Sequence, residues 1–301
     1  MNTRGELSRI KMFSLISFLV LVWGLSWPIY KIALSYTPPI LFAGLRTILG
    51  GLGMLILLLP RCRRIRFKEN WPVYLISSFF NIILFFGLQT MGLTYLPSGL
   101  FSVIVYLQPI LVGIFAWLWL RESISVIKIV GLILGFLGVA IVSVEGMSGQ
   151  ISVIGISFAL STAISWAIGT VYLKKVERKV DLLWSVAMQC IIGGTILICL
   201  GLVIEDWTAI VWNSTYVSCL LYGAIIGVPA GSIAYFKLIS LGEASRAAVY
   251  TFIVPLISVA VGVAFLHESF STYLVAGLFL IMLAIYLVNR KQTNLSSLED
   301  E

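Results

Sequence analysis

Histidine occurs once in this chain, at His267, and cysteine only at Cys62, Cys190, Cys199 and Cys219. The last three cysteines fall in apolar segments and Cys62 in an arginine-rich loop, so neither a disulfide framework nor zinc-ligand spacing is present. There is no HExxH pair and no CxxC, and Gly51-Leu52-Gly53 lacks the third glycine of a dinucleotide fingerprint because position 56 is Ile. No catalytic residue, metal or cofactor is expected. Charge is scarce too: 11% of the 301 residues are charged. No stretch is polar enough to form a separate soluble domain.

What is present is apolar. With 60% hydrophobic residues and a mean hydropathy of +1.05, an ordinary soluble globule is excluded. A bilayer core about 30 Å thick needs roughly 20 apolar residues per spanning helix, and such segments recur along the whole chain. They run from Met12 to Leu34, Pro39 to Leu59, Trp71 to Thr90, Ser98 to Leu120 and Val126 to Val144. A second series runs from Val153 to Leu173, Leu182 to Ile204, Tyr216 to Ile239, Ala244 to Leu266 and Ser271 to Asn289. The expected class is an all-α integral membrane protein with ten spans. Ala33-Leu34-Ser35 resembles a cleavage site, but the preceding apolar run is too long for a cleaved signal and reads as a retained first helix.

The net charge of +7 would suit nucleic acid only on a solvated basic face, whereas these cations interrupt apolar runs. Arg61, Arg63, Arg64, Arg66 and Lys68 follow span two, Arg121 and Lys128 span four, and Lys174, Lys175, Arg178 and Lys179 span six. Lys237 and Arg246 flank the next even loop, and Arg4, Arg9, Lys11, Arg290 and Lys291 sit at the termini. Lys31 and Arg46 alone fall elsewhere, so the loop bias places both termini in the cytoplasm. Glu145, Glu205, Asp206, His267 and Glu268 then face outward, together with the sequon Asn213-Ser214-Thr215, which is short enough to arise by chance.

The chain also repeats itself. At an offset of 143, Trp23 matches Trp166, Lys31 matches Lys174, Gly50-Gly51 matches Gly193-Gly194, and Arg46 falls on Gln189. At 146, Pro109 matches Pro255, Leu120 matches Leu266, Glu122-Ser123 matches Glu268-Ser269, and Gly131 matches Gly277. Five helices per copy is an odd number, so the second copy enters the bilayer from the other side. The expected organisation is a first five-helix repeat over 1–150, an inverted one over 151–290 and a cytoplasmic tail over 291–301. A central site between such halves can open to one side and then the other.

Trp23-Gly24-Leu25-Ser26-Trp27-Pro28, the Pro109 region running to Leu120-Arg121-Glu122-Ser123, and Pro255 running to Leu266-His267-Glu268-Ser269 resemble the drug/metabolite transporter superfamily, specifically its EamA-type ten-helix members. The resemblance covers nearly the whole chain. It implies a multi-pass transporter in the plasma membrane, bacterial inner or cytoplasmic, with a central cavity lined by spans one, three, four, six, eight and nine. Amino acids or similar polar organic solutes, moved outward, are the expected cargo. Export of drugs or organic cations is the alternative, with a channel or a membrane enzyme further off. The expected partners are a small-molecule substrate and the lipid bilayer, with no nucleic acid, in a monomer or weak homodimer.

Arg46 is the one deep cation, costly in a membrane unless it pairs or meets water. It either binds an anionic substrate group or caps carbonyls between helices. Trp23 and Trp166 sit beside small or hydroxylated residues that permit a wet cavity wall. Asn81, Gln89, Tyr106, Gln108, Gln189, Tyr222 and Tyr235 add neutral hydrogen-bonding groups, for cavity or interhelical use. Pro109 and Pro255, at equivalent places, are expected to kink their helices. Gly223, Gly227 and Gly231, and likewise Gly131 and Gly135, suit close helix packing. Glu122 and Glu268 lie at helix ends, where a carboxylate can stay hydrated, and no span centre holds Asp or Glu.

Overall fold

The computed structural model describes residues 3–96, 101, 104–143, 152–257 and 272–289. The described residues are helical, with no strand among them. In chain order the helices are α1 (Thr3–Ala33), α2 (Pro39–Leu58), α3 (Phe67–Tyr95), α4 (Gln108–Leu120) and α5 (Val126–Ser143). They are followed by α6 (Val153–Val176), α7 (Leu182–Ile204), α8 (Ser214–Ser240), α9 (Ala244–Ile257) and α10 (Thr272–Asn289). Among the described residues, α1, α2, α3, α6, α7 and α8 are long and apolar enough to cross a membrane; the other four are shorter apolar helices. Leu57, Val203 and Phe279 are each more than two-thirds exposed, an outward apolar surface that suits lipid rather than water.

Helix starts follow from side-chain caps. Asp181 accepts from the N–H groups of Leu183 and Trp184 at the start of α7, Ser152 from Gly155 at α6, and Asn213 from Tyr216 at α8. Asn213, the sequon residue, is thus the N-cap of α8. Helix α2 begins after Pro38, which has no side-chain acceptor, and Glu205 at the end of α7 supplies one instead. At the end of α4, Arg121 adopts a left-handed conformation (φ 56°), which turns the chain sharply and brings Glu122 beneath α9.

Glycine lets the helices approach closely. Leu41 meets Gly201, Gly44 meets Ile198, Ile48 meets Gly194 and Gly51 meets Ile191, so contacts that advance along α2 retreat along α7. The two helices are antiparallel, and a Cβ at 194 would lie 2.6 Å from the Ile48 nitrogen. Gly131 and Gly138 do the same for α5 against α10, facing Val288 and Ile281. Among the described residues these two pairings are the most extensive. The stripe Gly223, Gly227 and Gly231 lies against Arg46, Tyr30 and Trp23, so it serves packing within the chain.

Two helices carry a π-helical segment, Phe79–Leu84 in α3 and Tyr222–Ala230 in α8. Wider π turns re-aim side chains and are frequent at functional sites. The first segment buries Asn81 and Ile82, and the second Gly223, Gly227 and Pro229.

Candidate functional site

An interior opening with an empty volume of about 720 Å³ lies between α1, α3, α6, α7, α8 and the turn before α4. Helix α1 presents Trp23, Ser26, Trp27 and Tyr30, spaced i, i+3, i+4, i+7 and therefore on one face. Helix α3 presents Ile82, Phe85, Phe86 and Gln89 at the same spacing, with Asn81 four residues before Phe85 on the same face. Helix α7 gives Val186, Gln189 and Cys190, and α8 gives Gly227, Ser232, Tyr235 and Phe236. Trp166 and Tyr106 complete the wall.

Its aromatic centre is a packed set of rings. Trp23 lies 5.3 Å from Trp166 and 5.1 Å from Tyr235, and Trp166 lies 5.5 Å from Tyr235 and 5.0 Å from Phe85. Polar tips are fixed by neighbours: Trp23 Nε1 donates to the Gly227 carbonyl (3.3 Å) and Trp27 Nε1 to the Tyr106 hydroxyl (3.3 Å). The Tyr235 hydroxyl accepts from Gln108 Nε2 at 2.8 Å and meets Thr170 Oγ1 at 3.3 Å. Gln189 Nε2 donates to the Ser185 carbonyl, which leaves its Oε1 to accept from Asn81 Nδ2 at 3.0 Å.

Arg46 is fully buried one side-chain layer behind this wall. Its Nη2 donates to Gln89 Oε1 at 3.3 Å, while Nε and Nη1 have no acceptor among the described residues. The guanidinium carbon lies 4.0 Å from the Tyr30 ring centre, 4.6 Å from Phe86 and 5.1 Å from Phe42. The rings meet the cation through their faces. No described backbone carbonyl accepts from it, so the carbonyl-capping alternative for Arg46 finds no support.

Of the residues singled out from sequence, Trp23, Asn81, Gln89, Tyr106, Trp166, Gln189 and Tyr235 line the cavity, while Gln108 and Arg46 stand behind it. Tyr222 donates to the Val22 carbonyl at 2.7 Å and joins α8 to α1. Trp27, Tyr30, Phe85, Phe86, Cys190 and Phe236 were missed, whereas Ser26 was noted only as a hydroxylated neighbour of Trp23. The 23, 26, 27, 30 and 82, 85, 86, 89 spacings were the available signal. The seventh span, through Gln189 and Cys190, enters the wall, whereas no described residue of the ninth does.

The prolines also sit differently from expectation. Pro109 lies in the first turn of α4, where its missing N–H costs no helical bond, and the helix break falls just before it at Tyr106–Leu107. Pro255 likewise follows a 3-10 segment, Val249–Ile253, at the start of a fresh α turn. Pro109 thus opens a helical segment rather than bending one, and Pro255 stands where α9 passes from a 3-10 to an α turn. Glu122 is not hydrated: its side chain is about 10% exposed and accepts from the backbone of Ala244 and the hydroxyl of Ser245, beside Lys128 at 3.6 Å. Glu268 and His267 lie outside the described residues.

The EamA-like transporter family matches residues 10–144 and 153–290. The uncharacterized transporter YvbV of Bacillus subtilis (strain 168) is 50% identical over 286 residues, 95% of this chain and 94% of that protein. The "Probable amino-acid metabolite efflux pump" of Salmonella typhimurium is 24% identical over 89% of this chain and 91% of its own length. A solved crystal structure superposes with a TM-score of 0.79 at 18% identity, covering 93% of this chain and 96% of that one, a likeness of fold. The family match, the apolar helices and the relatives agree: the chain is a multi-pass membrane transporter that belongs to the EamA-like family of the drug/metabolite transporter superfamily.

Proposed function

We propose that the protein is an alternating-access carrier that moves small polar organic solutes, amino acids foremost, out of the cell across the plasma membrane. In this reading all ten apolar helices span the bilayer, both termini are cytoplasmic, and 1–150 and 151–290 form inverted halves. The observation that carries it is the composition of the cavity wall: α1, α3 and Tyr106 on one side, α6, α7 and α8 on the other. A site shared by two halves changes its exposure when they rock. The pairing of α2 with α7 and of α5 with α10 supports the inversion, because a twofold axis in the membrane plane sets each helix antiparallel to its own counterpart.

Aromatic faces and neutral amides suit solutes with an apolar part and a few hydrogen-bonding groups. The efflux pump of Salmonella typhimurium makes amino acids and their metabolites the first class to test. Purified protein in liposomes loaded with an amino-acid mixture should show saturable uptake of labelled solute, accelerated by unlabelled solute on the far side. Non-saturating flux, or single-channel current steps, would overturn the carrier reading.

A further inference from the structure

Resting on that reading, we propose that the cavity selects solutes bearing a carboxylate and turns away organic cations that lack one, with Arg46 supplying the fixed positive charge that makes the choice. Aromatic-walled cavities ordinarily suit organic cations, which sit against ring faces. Here the box formed by Tyr30, Phe42 and Phe86 is already filled by the protein's own guanidinium. Ring faces stabilise that cation without cancelling its charge.

No carboxylate cancels it either. Among the described residues Arg46 enters no ion pair, and the carboxylates that do form ion pairs stand at helix ends or in loops. Two of its N–H groups, Nε and Nη1, are buried without an acceptor. Such donors carry a full desolvation penalty until an acceptor reaches them. Gln89 extends the effect into the cavity wall: with Oε1 held by Arg46, its Nε2 is the end left to donate to a solute.

A neighbouring opening has the same sign. A second opening at the α6–α7 turn shares Phe236 with the central cavity as a common wall. It is lined by Lys174, Arg178 and Lys237 against Glu177 alone. Lys174 is paired with Glu177 at 3.0 Å, which leaves Arg178 and Lys237 uncompensated in that lining. The cation bias of cytoplasmic loops accounts for these lysines and arginines by itself. It does not account for a desolvated arginine inside α2.

A unit charge about 8 Å away changes occupancy by an ion on the order of tenfold at the effective dielectric of such sites. The cavity tryptophans report that field through charged quenchers, with no need to know the solute. Iodide, caesium and neutral acrylamide are titrated against the protein in liposomes, and subtracting the Trp166→Phe variant isolates the cavity signal. Iodide should quench that signal several-fold more strongly than caesium; Arg46→Gln should abolish the difference, Arg46→Lys should keep it, and acrylamide should act equally on all three. Iodide no better than caesium, or a preference unchanged in Arg46→Gln, would overturn the proposal. In counterflow, amino acids and 2-oxo acids should exchange while the matching amino-acid amides do not, and exchange of the amides at equal rates would also overturn it. The quenching readout needs no transport, so an iodide preference without counterflow faults the carrier reading, and counterflow without an iodide preference faults the charge rule.

Discussion

Glu205 and Leu41 tie the end of α7 to the start of α2: Glu205 Oε2 accepts from the Leu41 N–H at 2.8 Å, while Oε1 accepts from Ile40 at 2.9 Å. Pro38 and Pro39 begin α2 without a capping side chain, so its first free donors depend on this borrowed carboxylate. Glu205→Ala should lower stability by about 1–2 kcal/mol, and Glu205→Gln by less because one acceptor remains. A thermal melt in detergent measures both.

The α2–α7 contact predicts a contrast between two glycines. At Gly194 a side chain would drive into the Ile48 backbone, so Gly194→Leu should cost about 3 kcal/mol or prevent folding. At Gly53 a Cβ meets nothing within 4 Å, and Gly53→Ala should stabilise the helix by up to about 1 kcal/mol. Yield of monodisperse protein and its melting temperature separate the two.

Glu122 is predicted to act jointly with Lys128. Lys128 Nζ lies 3.6 Å from Glu122 and 3.0 Å from Glu243, and Glu122 also caps the start of α9. A double-mutant cycle of Glu122→Gln and Lys128→Met should give a coupling of about 1–2 kcal/mol, because each single change leaves a poorly solvated partner. A coupling near zero would mean that the cluster is hydrated after all.

In the cavity, Tyr235→Phe leaves Gln108 Nε2 buried without its acceptor and should cost about 1–3 kcal/mol. Trp166→Ala removes a ring packed against Trp23, Phe85 and Tyr235 and should raise the KM for an accepted solute about tenfold with the fold intact. Initial rates across a solute series, with circular dichroism as the folding control, check both.

Membrane class and helix positions were legible because apolar runs of bilayer length are a strong signal, and seven of the residues picked for polarity or for the repeat reached the cavity wall. Trp27, Tyr30, Phe85 and Phe86 were not picked, since an aromatic in a membrane helix looks the same whether it faces lipid or a cavity. Only the helical spacing that joins them to Trp23 and Gln89 separates the cases. Glu122 was read as a hydrated helix end because its capping partner Ser245 lies more than a hundred residues away in sequence, and the cap that Glu205 gives Leu41 was unseen for the same reason. Pro109 looked like a kink because the break before it, at Tyr106–Leu107, is a tertiary feature.

An alternating-access carrier exposes one cavity to each side of the membrane in turn. Ser232 lines it, so Ser232→Cys in a cysteine-free background places a single thiol there. Sided vesicles treated with a membrane-impermeant thiol reagent from the inside or from the outside read its accessibility. Labelling from either side is expected, slowed in both cases by a saturating transported solute; labelling from one side only, with the solute without effect, would rule out alternating access through this cavity.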